Sequence, residues 1–572
     1  MKRHNRDNYY VVGEGILTTD RNGNAATVRP SAVADVRKFR FSRLGPVGEP
    51  VDDARRLIFE AVATAMTTDP AAGDPESGPP FDSGIPAGFT YLAQKVDHDM
   101  TFDATAAQLG QDVTVDELVQ GRSPALDLDS LYGRGPDKDP QFYAADGVHI
   151  KTGTTGGVNG GAPGADNPFA KVPREGFDLP RVGTGSTPAE QRLANIPDRR
   201  NDENLAVAQT HLAFIRFHNR VVDKLAGTTP SALLFPAARA SVVRHYQWML
   251  RTDFLPRIVE PDIVTDVFTN GRKFFEVPAE YDDLDWYPAY GDSRTEPRDL
   301  PTMPIEFSVA AYRLGHSMIR DVYNWNAIFN TKRIPATLLL LFAFSGTSGI
   351  LAPAGAAEDL DDPEAGTTQL PGNWVADFRR LYDFGEAGRD DLKVDPDDFN
   401  ITKRIDTLLV NPLQVLPRGS FGGRDAAIHA VGRELNLAFR NLTRSGMVRL
   451  CSGQQLAEQF GVKSMDAGQI IGGNGGASLD GLNDDQKNSL AQNTPLWFYV
   501  LREAEVNGGR LTGVGGRVVA EVFHRAMEGS RASIVRDPQW RPDLGPDEDT
   551  FRMVDLLLFA FEGKKELLAP LG

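Results

Sequence analysis

The sequence predicts a mainly α protein, and three observations carry that reading. Apolar residues recur three and four apart in segment after segment; Leu205, Ala208, Leu212, Ile215 and Val222 keep the rhythm through AVAQTHLAFIRFHNRVVDKL. Few stretches alternate as half-buried strands do, and no internal repeat is visible. Apolar residues make up 41% of the 572 positions, enough for a large buried core.

Taken in order, residues 1–50 are polar with scattered basic side chains and are expected as an extended arm before one large domain over 51–565. Asp52 to Thr67 has Leu57, Ile58, Val62 and Ala65 at helical spacing. Thr68 to Pro86 is a Pro/Gly/Asp-rich loop, and Gly153 to Thr187 is a second long loop. Asp198-Arg199-Arg200-Asn201-Asp202-Glu203-Asn204 opens the clearest helix, with acidic residues suited to its dipole. Ser231 to Ile258 continues helical, with Trp248, Met249 and Leu255 as core candidates. Ile305 to Ile319, Arg424 to Leu442, Leu496 to Val506, Arg517 to Met527 and Asp549 to Phe561 complete the helical set.

The polar residues that stand out begin with Gln94-Lys95-Val96-Asp97-His98-Asp99. On a helix Gln94, Asp97 and His98 share one face, while Asp99 turns roughly 100° away. Those residues alone fit a solvated turn, a polar pocket or a mononuclear metal site. Asp127 and Asp129 alternate along an extended stretch, as oxygens around a hard cation do; a surface acidic turn has the same pattern. Arg200 and Glu203 lie just before or in a helix's first turn, so both can point into one cleft. His316 sits among Phe307, Ala310, Ala311, Leu314 and Met318, where a histidine is more often a satisfied core residue than a ligand. GTTGGVNGG and GGNGG lack the Lys-Ser/Thr ending and the strand-helix context of a phosphate loop.

Composition narrows the function. Net charge is −17, from 78 acidic and 61 basic side chains, which disfavours nucleic acid as a partner and suits small diffusible substrates. Cys451 is the one cysteine, so neither an intrachain disulfide nor a cysteine metal cluster forms. The start MKRHNRDNYYVVGEGILTTD has no signal-peptide apolar core, and Thr337 to Phe344 is too short to span a membrane. The expectation is a soluble chain, cytoplasmic or exported by a route without an amino-terminal signal.

Five ordered segments then resemble one family, the animal-type haem peroxidases of the peroxidase–cyclooxygenase superfamily, which includes myeloperoxidase and lactoperoxidase. QKVDHD is similar to the distal-histidine motif and SPALDLDSLYG to the calcium loop. RRNDE with HLAFIRFHNR is similar to the catalytic-arginine helix, AAYRLGHSMI to the proximal-histidine helix, and RNLTRS to the segment supporting that histidine. The resemblance spans roughly Ile85 to Ile534 and looks like a bacterial branch, given the single cysteine.

The resemblance implies the myeloperoxidase-like fold, with haem b between a distal and a proximal helix. His98 would be the distal acid-base group, Arg200 the distal arginine and Gln94 the residue holding the distal water and halide region. His316 would ligate the haem iron, Asn441 would hydrogen-bond its other nitrogen, and Arg313 would pair with a haem propionate. Asp97 and Glu203 match the carboxylates that esterify haem in mammalian members. Asp99, Ser123, the carbonyl of Ala125, Asp127 and Asp129 would hold Ca2+. The implied activity is hydrogen peroxide-dependent oxidation of iodide, thiocyanate, bromide or small phenolic donors. Asn204 stands where the myeloperoxidase branch has a sulfonium-forming methionine, so little chloride oxidation is expected near neutral pH.

Two rivals are a fatty-acid oxygenase of the same superfamily and a non-catalytic scaffold or adhesion protein. Against the first, cyclooxygenases carry a radical-forming tyrosine three residues before the proximal histidine. Arg313 holds that position here, and the adjacent Tyr312 is expected to point elsewhere. Against the second stands the intact set Gln94, His98, Arg200 and His316.

Overall fold

Helices carry the architecture, and short strand pairs pin its edges. The computed structural model describes residues 39–67, 82–105, 107–159, 166–277, 301–352, 359–360, 362–417 and 432–572, plus a backbone pairing of Thr18–Thr19 with Ala25–Ala26. Among these residues, strands form only two-stranded ladders. One contiguous hydrophobic core reaches from Phe41 to Leu571. The residues just before the domain, expected as part of an arm, pack onto it: Phe41–Ser42 pairs in parallel with Met303–Pro304, and Phe39, Phe41 and Leu44 are buried.

Helix α1, Asp53–Thr67, buries Ile58, Phe59, Val62, Ala63 and Met66. Helix α2, Gly88–Met100, has no side-chain cap at its start. Backbone carbonyls do that work: Ala87 N–H donates to Asn400 O and Gly88 N–H to Leu381 O, both at 2.9 Å. Gly88 is required there, because a Cβ would lie 2.2 Å from the Tyr382 ring. At the far end Thr101 closes α2, its N–H donating to Asp97 O at 2.8 Å. Helix α2 is thus tied at both ends, and nearly every side chain along it is buried.

Helix α3, Leu205–Leu225, is preceded by a tight turn over Arg199–Asp202. Asp198 caps that turn by accepting from Arg200 N–H at 3.0 Å, and Asn204 caps α3 by accepting from Val207 N–H at 2.9 Å. Helix α4, Ser231–Met249, passes through a wider π turn, Leu250–Phe254, into Leu255–Ile258, and Trp248, Met249 and Leu255 are buried as expected.

Two segments depart from expectation. Ile305 to Ile319 is not a regular α-helix: a π turn, Glu306–Ala310, gives way to an eight-residue 3₁₀ helix, Ala311–Met318, with Ala310 at φ −129°, ψ −79° between them. The buried Glu306 carboxylate is held by Leu44 and Gly45 N–H groups at 2.8 and 2.9 Å, which anchors the wide end. The tight end stacks positions three apart, so Arg313 and His316 lie above one another. The expected helix Arg424 to Leu442 instead occupies α5, Leu437–Met447, capped by Asn436; residues 418–431 lie outside the described residues. Helix α6, Leu496–Val506, falls at its expected bounds, α7 spans Gly513–Gly529, and α8 is the shorter Met553–Ala560. Among the described residues, no helix is long and apolar enough to cross a membrane.

Candidate active site

A cavity of about 510 Å³ opens between α2, the turn before α3, the 3₁₀ segment and α5. Gln94, Asp97, His98, Arg200, Glu203, Arg313, His316 and Asn441 all line it, so four separated segments meet there. Ile305, Leu338, Phe342, Leu413 and Leu437 supply apolar walls.

On the α2 side, His98 is 4% exposed and its Nδ1 lies 3.1 Å from Asn201 Oδ1. Asn201 therefore accepts a hydrogen bond from Nδ1–H, which leaves the Nε2 lone pair free. Burial, reinforced by the Arg200 charge, pushes the His98 pKa down to about 4, so the ring is neutral at pH 7. Arg200 donates to His98 O at 3.0 Å and to Asp198 Oδ2 at 2.6 Å, and its guanidinium lies 4.6 Å from the Phe102 ring centre. Asp198 is fully buried and also receives Arg122 Nε at 2.8 Å. Burial alone would raise its pKa; Arg122 and Arg200 outweigh that and hold it well below the usual carboxylate range.

Gln94 is fixed from both ends. Its amide nitrogen donates to Glu203 Oε1 at 3.2 Å, and its carbonyl accepts from Asn204 Nδ2 at 2.9 Å. Burial pushes the Glu203 carboxyl up to about 7 against the pull of Arg200. Asp97 accepts from the Thr101 hydroxyl at 3.0 Å and from Arg313 Nη1 at 3.2 Å. Arg313 also donates to Ser308 O at 2.8 Å, so the residue assigned to a propionate lies on the α2 carboxylate.

On the 3₁₀ side, His316 Nδ1 lies 3.1 Å from the Asn441 amide on α5. The atom facing the ring is the amide nitrogen, which donates to Nδ1; turned over, the amide carbonyl would accept from Nδ1–H and leave Nε2 as a lone-pair donor. Burial, then the Arg313 charge, pushes His316 down to about 3, so it too is neutral. Trp497 stands edge-on to this ring at 6.4 Å, and its indole N–H donates to Arg313 O at 3.4 Å. Tyr312, expected to point elsewhere, also lines the cavity, stacked on Phe307 at 4.7 Å.

Two neutral imidazoles on different elements, a fixed guanidinium and apolar walls fit a haem: an axial nitrogen, an acid-base group, a cation and an apolar slot. The residues expected to hold calcium lie near one another as well. Ser123 N–H donates to Asp129 at 3.0 Å and its hydroxyl to Asp127 at 3.2 Å, beside Ala125. Asp99 faces Leu128 N–H at 3.2 Å and the Ser130 hydroxyl at 3.0 Å. Burial and the Asp129 charge drive the Asp99 carboxyl up. Among the described residues, no group of three or more His, Cys, Asp or Glu side chains closes into a metal-holding arrangement. Asp99, Asp127 Oδ2 and Asp129 Oδ2 accept from N–H and O–H donors.

Asp198 and Asn201 went unassigned in the sequence although both flank Arg200. The signal was there in part: an aspartate two residues before a helix-opening arginine is a cap that can also hold its side chain.

Residues 85–353 match the animal haem peroxidase family model, a stretch holding His98, Arg200, Glu203 and His316. A peroxidase-like protein of Margaritifera margaritifera is 32% identical over 142 residues, covering 24% of this chain and 16% of that protein. A chorion peroxidase of Aedes aegypti is 24% identical over 236 residues, covering 40% and 25%. The chain thus aligns with a quarter or less of each relative's length. Peroxidase A of Dictyostelium discoideum shares the fold at a TM-score of 0.50 and 14% identity, covering 90% of this chain and 95% of that one. A fatty acid alpha-dioxygenase of Arabidopsis thaliana does so at 0.51 and 12%, covering 91% and 76%. Residues 85–353, which supply much of the cavity lining, are thus similar to the animal haem peroxidases, and the chain shares the fold of these enzymes.

Proposed function

We propose that this protein is a haem peroxidase that uses hydrogen peroxide to oxidise small anionic or phenolic donors. The observation that carries the reading is His98: buried, neutral, with Nδ1 satisfied by Asn201 and Arg200 hydrogen-bonded to its carbonyl. Haem held through His316 Nε2 would supply the redox-active iron. The chain's own part is proton and charge management. His98 Nε2 would take a proton from one oxygen of the peroxide and return it to the other. Arg200, fixed by Asp198, stabilises the negative charge that develops as the O–O bond breaks. Asn441 would keep the His316 ring oriented and, with its amide carbonyl turned to Nδ1–H, more basic. Asp97 and Glu203 are the proposed ester partners of the haem, and Gln94, clamped by Glu203 and Asn204, orders the donor region.

Calcium belongs to the same proposal, held by Asp99, Ser123, Ala125 O, Asp127 and Asp129. Its support is the gathering of Asp99, Asp127 and Asp129, where burial first, then the charges of Asp129 and Asp127, raise the Asp99 pKa.

A second reading, a fatty-acid dioxygenase, is favoured by the Tyr312 phenol on the cavity wall and by the dioxygenase fold match. One experiment separates the two. Haem-loaded protein is given peroxide with iodide, thiocyanate, bromide or chloride, and separately oxygen with palmitate. The peroxidase reading expects fast iodide and thiocyanate oxidation, slower bromide, little chloride and no oxygen uptake. Oxygen uptake lost in Tyr312→Phe, with no halide oxidation, would replace it by the second reading.

A further inference from the structure

Gln120, Gly121 and Arg122 run beside the end of α2 and are clipped to it. The Gln120 side chain accepts from Phe102 N–H at 2.8 Å and donates to Met100 O at 2.9 Å, and Gly121 N–H donates to Phe102 O at 2.7 Å. A Cβ at Gly121 would lie 2.1 Å from the Phe102 ring, so glycine is what lets the segment come this close. The clip delivers Arg122, a buried residue that does not line the cavity, to the turn that carries Arg200. Arg122 Nε donates to Asp198 Oδ2 at 2.8 Å and Nη2 to Pro197 O at 2.9 Å. Arg200 Nη2 donates to the same Asp198 oxygen at 2.6 Å. Both guanidiniums also stand against the Phe102 ring, at 6.0 Å and 4.6 Å from its centre. One carboxylate therefore meets two guanidiniums. Asp198 with Arg200 alone would make a neutral pair, a poor partner for negative charge in the cavity. With Arg122 the three groups together carry one net positive charge, and of the three only Arg200 lines the cavity.

We propose that Arg122 keeps the distal side of the cavity cationic: by taking up the charge of Asp198, it leaves the charge of Arg200 for an anion, or for an oxygen that becomes negative, inside the cavity. Arg122 touches nothing in the cavity and acts through Asp198, which makes it a positioning residue. The physical basis is that a guanidinium paired one-to-one with a carboxylate presents a dipole, whose field fades faster with distance than that of a net charge. The arrangement also reconciles two demands on Asp198. It must grip Arg200 to hold it in place, and it must not cancel the charge that makes Arg200 useful.

The inference rests on the haem reading above, and its main readout needs no turnover. Fluoride, a small anion that binds ferric haem, is titrated at pH 7 into haem-loaded wild type, Arg122→Gln, Arg122→Lys and Arg200→Gln. Its Kd is read from the Soret band, and the rate of reaction with peroxide is measured beside it. Arg122→Gln keeps a hydrogen-bond donor for Asp198 and removes the charge, so fluoride should bind roughly tenfold more weakly and peroxide should react more slowly by a similar factor. Arg122→Lys keeps the charge and should bind fluoride within about threefold of wild type. Wild-type affinity in Arg122→Gln overturns the proposal. So does an Arg122→Lys as weak as Arg122→Gln, because the loss then comes from packing and not from charge. Should Arg122→Gln fail to fold, Arg122→Lys decides: wild-type affinity upholds the proposal, and a loss of about tenfold overturns it. Should Arg200→Gln bind fluoride as tightly as wild type, Arg200 offers no charge to the cavity and the proposal falls. Wild type that binds fluoride but does not react with peroxide would end the peroxidase reading alone, and the fluoride series would still judge Arg122.

Discussion

Asp198 is the most informative residue to change, because it touches no substrate and yet sets the position of Arg200. It is fully buried between Arg122 and Arg200, with N–O distances of 2.8 and 2.6 Å, and also caps the Arg199–Asp202 turn. Asp198→Asn preserves shape and removes the charge. Breaking a buried pair by deleting one partner costs about 3–5 kcal/mol. Arg200 keeps its bond to His98 O, and its side chain is 23% exposed, which places the cost toward the lower end. With an unfolding entropy of about 2.1 cal/mol/K per residue, 572 residues give roughly 1.2 kcal/mol/K, so Tm should fall by only about 3 °C. The rate should suffer far more. A guanidinium released by an ångström or so loses on the order of 10²-fold in a reaction that depends on its placement. The assay is rapid mixing of haem-loaded protein with peroxide, followed in the Soret band, beside a thermal melt. A variant that melts with wild type and reacts at the wild-type rate would refute the clamp.

Other outcomes follow from the same geometry. His316→Ala should lose most of its haem, read as the ratio of Soret to protein absorbance, and Asn441→Leu should retain haem with a weakened axial bond, visible as a shifted spectrum. The rate of reaction with peroxide should be flat from about pH 5 to 8. His98 has a folded pKa lowered to about 4, so its basic form persists above that value and is lost as pH falls through it. A rate that falls through pH 6.5 instead would mean an unperturbed imidazole. After peroxide treatment, acid-solvent extraction should leave haem on wild type and remove it from Asp97→Ala/Glu203→Ala.

Much of the site was legible because its residues follow local rules. Gln94, Asp97 and His98 share a helix face by spacing alone, and α2 delivers them as expected. Asn204 caps α3 and grips Gln94 with the other end of the same amide, a double role that no linear pattern exposes. The proximal segment has the apolar spacing of an α-helix, yet it winds as π and then 3₁₀. The cause is distant: Glu306 is tied to Leu44 and Gly45, 262 and 261 positions earlier. That winding also brings Tyr312 to the cavity wall, against the helical-wheel expectation. Asn201 and Asp198 were hidden for a similar reason. Their partners, His98 and Arg122, are 103 and 76 positions away, and a hydrogen bond of that range leaves no periodic trace.

The central claim is that His98 moves the peroxide proton while His316 holds the haem. It is tested most directly by mixing haem-loaded His98→Ala and wild type with equal peroxide and comparing the first spectral change. Both should start with the same haem content, and His98→Ala should react some 10²- to 10⁴-fold more slowly. Equal rates from equally loaded proteins would contradict the assignment.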